Sequence, residues 1–149
     1  MKFSCSVDIN KSREEVVALF DNPDNMHYWQ DGFLRIEKIS GDQGEIASKN
    51  KIFYDQKGKE MILIETVKVY DLPREMTGIY EHEMMDNEMQ NIFTILSPTR
   101  TRWVAHLHYY RVKGFLKIVA FLFPGMFKKQ VQKWMDQFKA FAEKTNCSL

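Results

Sequence analysis

Polar and apolar residues alternate from the second position onward: Phe3, Cys5, Val7 and Ile9 are set against Lys2, Ser4, Ser6 and Asp8. A period of two with one wet face predicts a strand half-covered by a core. On that face Cys5 reads as a small core residue rather than a reactive thiol. The pattern then changes. Ser12, with Glu15 three residues later, forms a capping box, and Val16, Val17, Leu19 and Phe20 supply the apolar stripe of a short helix. Asn22-Pro23-Asp24 stops that helix, and Asp24 is placed to cap a second one ending near Trp29.

From Gly32 to Arg111 the chain reads as strands and turns. The expected strands are Phe33–Ile39, Ile46–Tyr54, Glu60–Tyr70, Glu75–Glu83, Glu88–Leu96 and Thr101–Val112. They are punctuated by Ser40-Gly41-Asp42-Gln43-Gly44, Asp55-Gln56-Lys57-Gly58, Asp71-Leu72-Pro73 and Ser97-Pro98-Thr99. Met61, Leu63, Val67 and Val69 share one face of the Glu60–Tyr70 strand, with Glu65 among them. Counting the first strand there are seven, and the short links imply antiparallel pairing. After Pro124-Gly125 the period becomes helical. Phe127, Val131, Trp134, Phe138 and Phe141 recur at spacings of four, three, four and three, one apolar face of a long helix. That helix is expected from about Pro124 to Glu143, with Pro124 in its first turn.

Only one element is long enough to cover the inner face of such a sheet. The expected architecture is therefore α+β of the helix-grip kind: a curved seven-stranded antiparallel sheet around a long C-terminal helix, with two short helices after the first strand. A gap between concave sheet and helix is a natural pocket, mostly apolar with a few polar groups. The competing expectation is that bulky side chains simply fill it.

Composition adds limits. A length of 149 residues fits one domain spanning 1–149. The 13% aromatic content and nine Met supply adaptable apolar side chains that suit either a pocket or a plain core. Formal net charge is +1, from 21 basic and 20 acidic residues, which excludes the basic footprint of a nucleic-acid binder. The opening Met1-Lys2-Phe3-Ser4-Cys5 has no secretory h-region, so a cytoplasmic location is expected. Phe115–Phe123, interrupted by Lys117, is far short of the roughly 20 residues that span a bilayer, so no stable membrane insertion is expected. It reads as a buried helical turn before Pro124; the alternative is an apolar lip that meets membranes or admits ligand. Cys5 and Cys147 lack metal-ligand spacing, and a disulfide joining them has little to motivate it without secretion. No Ser-His-Asp, Cys-His, Cys-x-x-Cys or glycine-rich phosphate motif is present, and no cofactor is expected. A monomer or weak homodimer is the expected state.

Several local texts carry a resemblance. They are the Trp29 region, Glu65-Thr66-Val67 followed by Leu72-Pro73-Arg74, and Asn87-Glu88-Met89-Gln90-Asn91-Ile92-Phe93. Thr101-Arg102-Trp103 and the run from Phe127-Lys128-Lys129-Gln130 to Phe138-Lys139-Ala140-Phe141-Ala142-Glu143 complete the set. Together with the order of elements, the chain resembles bacterial members of the START-like, or SRPBCC, superfamily. That group includes the birch-pollen allergen type and the polyketide cyclase/dehydrase and lipid-transport proteins. The resemblance implies a helix-grip fold and a hydrophobic ligand; activity differs among members.

Alternation assigns an inner face. If Trp103 points inward, Ala105, Leu107 and Tyr109 join it, while Arg102, His106 and His108 face solvent. On the preceding strand Met89, Asn91, Phe93 and Ile95 lie inside, and Glu65 shares the inner face with Leu63 and Val67. With Tyr80, Trp29, Phe127, Val131 and Trp134 these form the candidate lining. His106 and His108 have a spacing that metal sites use, but they read as surface residues without a third ligand. Glu65 is the candidate for chemistry: a carboxylate on an apolar face either finds a cation or titrates high enough to serve as acid or base. The leading reading is a binder or carrier of a hydrophobic, lipid- or polyketide-like molecule. The alternatives are a cyclase/dehydratase-type enzyme using Glu65 or a cavity Tyr, and a protein-interaction module with a vestigial cavity.

Overall fold

The computed structural model describes residues 1–146. The first strand, β1 (Lys2–Ile9), is followed by helix α1 (Arg13–Phe20), a 3-10 turn at Pro23–Asn25 and helix α2 (Met26–Trp29). Six strands come next: β2 (Phe33–Ser40), β3 (Lys49–Gln56), β4 (Lys59–Asp71), β5 (Glu75–Glu81), β6 (Met85–Ser97) and β7 (Arg100–Val112). Helices α3 (Gly114–Leu122) and α4 (Met126–Lys144) close the chain. All strand pairs are antiparallel, in the order β1-β7-β6-β5-β4-β3-β2. The predicted seven-stranded α+β helix-grip architecture is the one observed.

Local rules explain most of it. Ser12 Oγ accepts from the Glu15 amide at 3.2 Å, the expected capping-box contact, and it costs about 1 kcal/mol to remove such a cap. The Lys57-Gly58 turn between β3 and β4 has positive φ at both residues, the two-residue geometry whose twist matches antiparallel strands. Register shifts in β2–β3, β4–β5 and β6–β7 mark bulges that bend the strands and let the sheet curl around a helix.

The core lies where α1, α2 and α4 meet β1, β7 and β6. Phe20, Trp29, Phe93, Trp103 and Phe138 form one aromatic cluster with ring centroids 5.0–6.3 Å apart, edge-on or offset. Cys5 is buried as a free thiol at the β1 side; Cys147, with which a disulfide had little to motivate it, lies outside the described residues. Helix α4 is tied along β1 by Gln132 to the Ser6 carbonyl (3.0 Å) and by Lys139 to the Asp8 carbonyl.

Several expectations are corrected. Asp24 does not cap a helix: Asn22 accepts from the Asp24 amide at 3.0 Å and caps the 3-10 turn, while α2 begins at Met26 without a side-chain cap. Ile46 is exposed and outside β3, because Ala47 takes a positive φ and the chain enters the strand only at Lys49. Strand β6 begins at Met85 rather than Glu88. Ile95, expected inside, is half exposed near the strand end, past the aromatic cluster. Val69 leaves the face of Val67 because a bulge shifts the register: Val67 pairs with Gly78 but Val69 with Thr77, and Tyr70 turns to α1 instead. On α4 the fully buried stripe is Phe127, Val131, Met135, Phe138 and Ala142; Trp134 and Phe141 sit on its flanks. Pro124 lies in the turn between α3 and α4, not in the first turn of α4. The segment Phe115–Phe123, read as a buried turn, forms most of α3, and none of that helix is fully buried.

Candidate functional site

Strands β3, β4 and β5 bring three polar side chains into one row. Asn50 pairs with Glu65 in the β3–β4 register and Glu65 with Tyr80 in the β4–β5 register. The Tyr80 hydroxyl donates to Glu65 Oε2 at 2.9 Å, and the Asn50 amide donates to Oε1 at 3.3 Å. Each carboxylate oxygen therefore has one donor. Among the described residues no Lys or Arg forms an ion pair with Glu65.

The row sits in apolar surroundings. Ile52 pairs with Leu63, and Val67 and Met89 both face Gly78 in register. Tyr54, two residues beyond Ile52, lies nearly flat on Trp134 of α4, with centroids 5.5 Å apart and an interplanar angle of 19°. Its hydroxyl donates to Gln30 Oε1 at 2.7 Å. This stack joins the helix to the far half of the sheet. Gly78 makes room for Tyr80: a Cβ there would meet the Tyr80 ring and hydroxyl at 2.8–2.9 Å.

Titration follows from this setting. Burial raises the Glu65 carboxyl above the ordinary carboxylate range; the Tyr80 and Asn50 donors oppose the shift, and nearby Asp21 adds to it. Burial and the adjacent Glu65 hold the Tyr80 and Tyr54 hydroxyls protonated well above the usual phenol range. Glu65 and Tyr80 nonetheless keep part of their surface accessible. A second acidic tie lies at the end of α1, where Tyr70 donates to Asp21. Burial raises Asp21, and burial with the Asp21 bond pushes Tyr70 up to about 12. A surface cleft of about 240 Å³ opens beside Asp21, lined by Val17, Ala18, Gln43 and Leu72 among others. It falls below the usual ligand-site range of about 300–1,000 Å³.

The candidate lining divides into two groups. Trp29, Phe93, Trp103, Ala105 and Leu107 are buried in the core, with Val131 and Phe127 of α4 against it. Asn91 is also committed there: its Oδ1 accepts from Trp103 Nε1 at 2.9 Å, and its amide donates to the Met76 carbonyl at 3.3 Å. Tyr109 packs on Phe127 at 4.8 Å, its hydroxyl pushed up to about 12 by burial against an opposing bond from Asn87. Leu63, Glu65, Val67, Tyr80 and Met89 form the second group, on β4, β5 and β6. Asn50, Tyr54 and Gly78 were not anticipated; the strand register is the signal that would have found them. His106 and His108 are exposed on the outer face, as expected, with His106 Nδ1 2.6 Å from Ser4 Oγ.

No family model and no curated protein matches the chain in sequence. Solved structures do match in shape. A conserved protein from Geobacillus kaustophilus superposes with a TM-score of 0.80 at 15% identity, covering 97% of this chain and 96% of that one. The Zhui aromatase/cyclase from a Streptomyces species gives 0.80 at 9% identity, with coverage of 97% and 94%. A START superfamily protein from Mycobacterium smegmatis gives 0.78 at 13% identity, with coverage of 96% and 97%. The chain thus has the START-like, helix-grip fold along its described length. No helix among the described residues is long and apolar enough to cross a membrane.

Proposed function

We propose that this chain binds a hydrophobic small molecule between α4 and the inner face of β3–β5, with Glu65 and Tyr80 meeting the ligand's polar end. The observation that carries the reading is an acidic group on an apolar face with no ion-pair partner among the described residues. Among the described residues Glu65 is held by two neutral donors, on a face shared with Leu63, Val67 and Met89. Its polar end is desolvated, yet both Glu65 and Tyr80 retain some accessible surface that a ligand could meet. A ligand hydroxyl can donate to the carboxylate, and a ligand carbonyl can accept from Tyr80 or from the protonated acid. The remaining surface favours a lipid- or polyketide-like body.

A second reading rests on the same pair. A carboxyl with a raised pKa beside a protonated phenol is suited to general acid–base work, such as the enolisation and dehydration steps of a cyclase. The two readings share a binding step and differ in turnover.

The test is native mass spectrometry of freshly purified protein, followed by displacement of an apolar fluorescent dye by fatty acids, sterols and aromatic polyketides. A co-purifying mass, or displacement at micromolar concentration that Glu65→Gln weakens, supports binding. Chemical change in the displacing compound, lost in Glu65→Gln, supports the enzyme. No bound mass and no displacement across the panel would overturn both and leave the interaction-module reading.

A further inference from the structure

Helix α3 stands apart from the rest of the molecule. In nine residues, Gly114–Leu122, it has no fully buried side chain. Leu116 and Ala120 rest on the core, while the other side carries Phe115 (75% exposed), Ile118 and Phe121 (84% exposed). Leu122, Phe123 and Met126 extend the exposed apolar surface through the turn into α4. Scattered exposed apolar residues need no explanation, but this contiguous crest does.

Its charges all have one sign. From Met89 to Met135 the chain contains no Asp or Glu, and exposed Lys113, Lys117, Lys128 and Lys129 flank the crest. The neighbouring β5–β6 turn brings Asp86, which is already paired with Arg111, and the exposed Glu83. Lys113 is joined to that turn through its amide, which donates to the Met84 carbonyl at 2.8 Å.

We propose that α3 and the turn to Met126 form a peripheral docking surface for an anionic lipid bilayer. Apolar tips would enter the headgroup boundary while the lysines pair with lipid phosphates and carboxylates. Two alternatives fit less well. The helix is about 14 Å long at 1.5 Å per residue, far too short to span a bilayer. A second copy of this chain would set one lysine-flanked crest against its own image, bringing like charges together across a two-fold axis. The inference does not rest on ligand binding at Glu65: either can fail while the other stands.

Co-sedimentation of the whole chain with vesicles tests it. Phosphatidylcholine vesicles containing about one-third phosphatidylserine should retain the protein at low salt, with binding falling as salt rises, and pure phosphatidylcholine should retain much less. Lys117→Ser with Lys128→Ser should weaken partitioning about twenty-five-fold, at roughly fivefold per lysine. Phe115→Ser with Phe121→Ser should abolish it. Both positions are exposed, so unchanged circular dichroism and melting confirm that these variants fold. Absence of binding to anionic vesicles by the folded wild-type chain would overturn the proposal. So would light scattering that shows a dimer lost in the Phe115→Ser/Phe121→Ser variant, with no vesicle binding. Equal binding to both vesicle types would overturn the anionic requirement.

Discussion

Tyr80 on β5 donates its hydroxyl to Glu65 on β4 at 2.9 Å, and among the described residues no Lys or Arg forms an ion pair with that carboxyl. The sequence left two outcomes open for Glu65, a paired ion or a shifted acid; the described residues supply two neutral donors and no ion pair, which favours the second. The consequence for stability has a definite sign. A carboxyl raised in the folded state holds its proton where the unfolded chain, titrating near 4.3, has released it. Its contribution is therefore complete below the unfolded value and is lost as pH rises through the folded one.

Glu65→Gln should accordingly match the wild type within about 1 kcal/mol in acid, since the amide keeps an acceptor for Tyr80. The variant should become relatively more stable as pH rises toward neutral. Urea melts of both proteins at a series of pH values measure the difference directly. A difference that stays flat with pH, or a variant less stable throughout, would mean that Glu65 is compensated by a charge.

Gly78→Ala should act on Glu65 at a distance. The new Cβ would collide with the Tyr80 ring and hydroxyl, so Tyr80 must swing away and its donor is lost. Because that donor favours the charged carboxylate, the Glu65 titration should move further up. Tyr80→Phe should move it the same way, and the double variant should add little. Carbon NMR titration of the Glu65 carboxyl reads all three. Additive shifts would show that the glycine is not there for Tyr80.

Asn91→Leu should be costly although it replaces a polar residue by an apolar one. Asn91 is 1% exposed and serves both the Trp103 indole N–H and the Met76 carbonyl, on two residues that are themselves buried. Stranding both should lower stability by about 2–4 kcal/mol. Thr94→Ala, on an exposed position of the same strand, should change it by under about 0.5 kcal/mol. Parallel denaturant melts decide this; a loss under 1 kcal/mol for Asn91→Leu would refute the reading of Asn91 as a core bracket.

Trp134→Ala should weaken binding of apolar dyes or fatty acids at least tenfold while the protein stays folded, because Trp134 is only partly buried and stacks on Tyr54 beside the proposed site. His106→Ala, on the outer face, should leave binding unchanged. Titration of a fluorescent fatty acid into both variants separates them, and equal losses would place the ligand elsewhere.

The elements that period alone can specify were legible. The alternation from Phe3 to Ile9 and the helical spacing after Phe127 each belong to a segment with one buried face. What escaped depends on pairing. The bulge beyond Val67 turns Val69 off its face, and nothing in Thr66-Val67-Lys68-Val69 announces it. Met135 was passed over for Trp134 because both fit a helical period, and only contact with the sheet decides which is central. Asn50 lies fifteen positions before Glu65, so its role emerges only once β3 and β4 are in register. The α3 segment differs for the opposite reason: its apolar residues imply burial, yet only one side, with Leu116 and Ala120, packs on the core, and Phe115, Ile118 and Phe121 stay exposed.

The strand order also dictates how the chain must be assembled. Strands β2 through β7 are joined by short connections, so each can zip onto its predecessor as it becomes available. The first strand has no such neighbour. Cys5 pairs with Ala105, about a hundred positions later, and the loop closed by that pairing is by far the longest in the sheet. During synthesis on a ribosome, β1 emerges first and waits until β7 exists, with Cys5, Val7 and Ile9 uncovered meanwhile. The aromatic cluster waits as well, since Trp103 and Phe138 arrive only with the last third of the chain. A nascent chain arrested before Thr101 should carry the hairpins and lack the core.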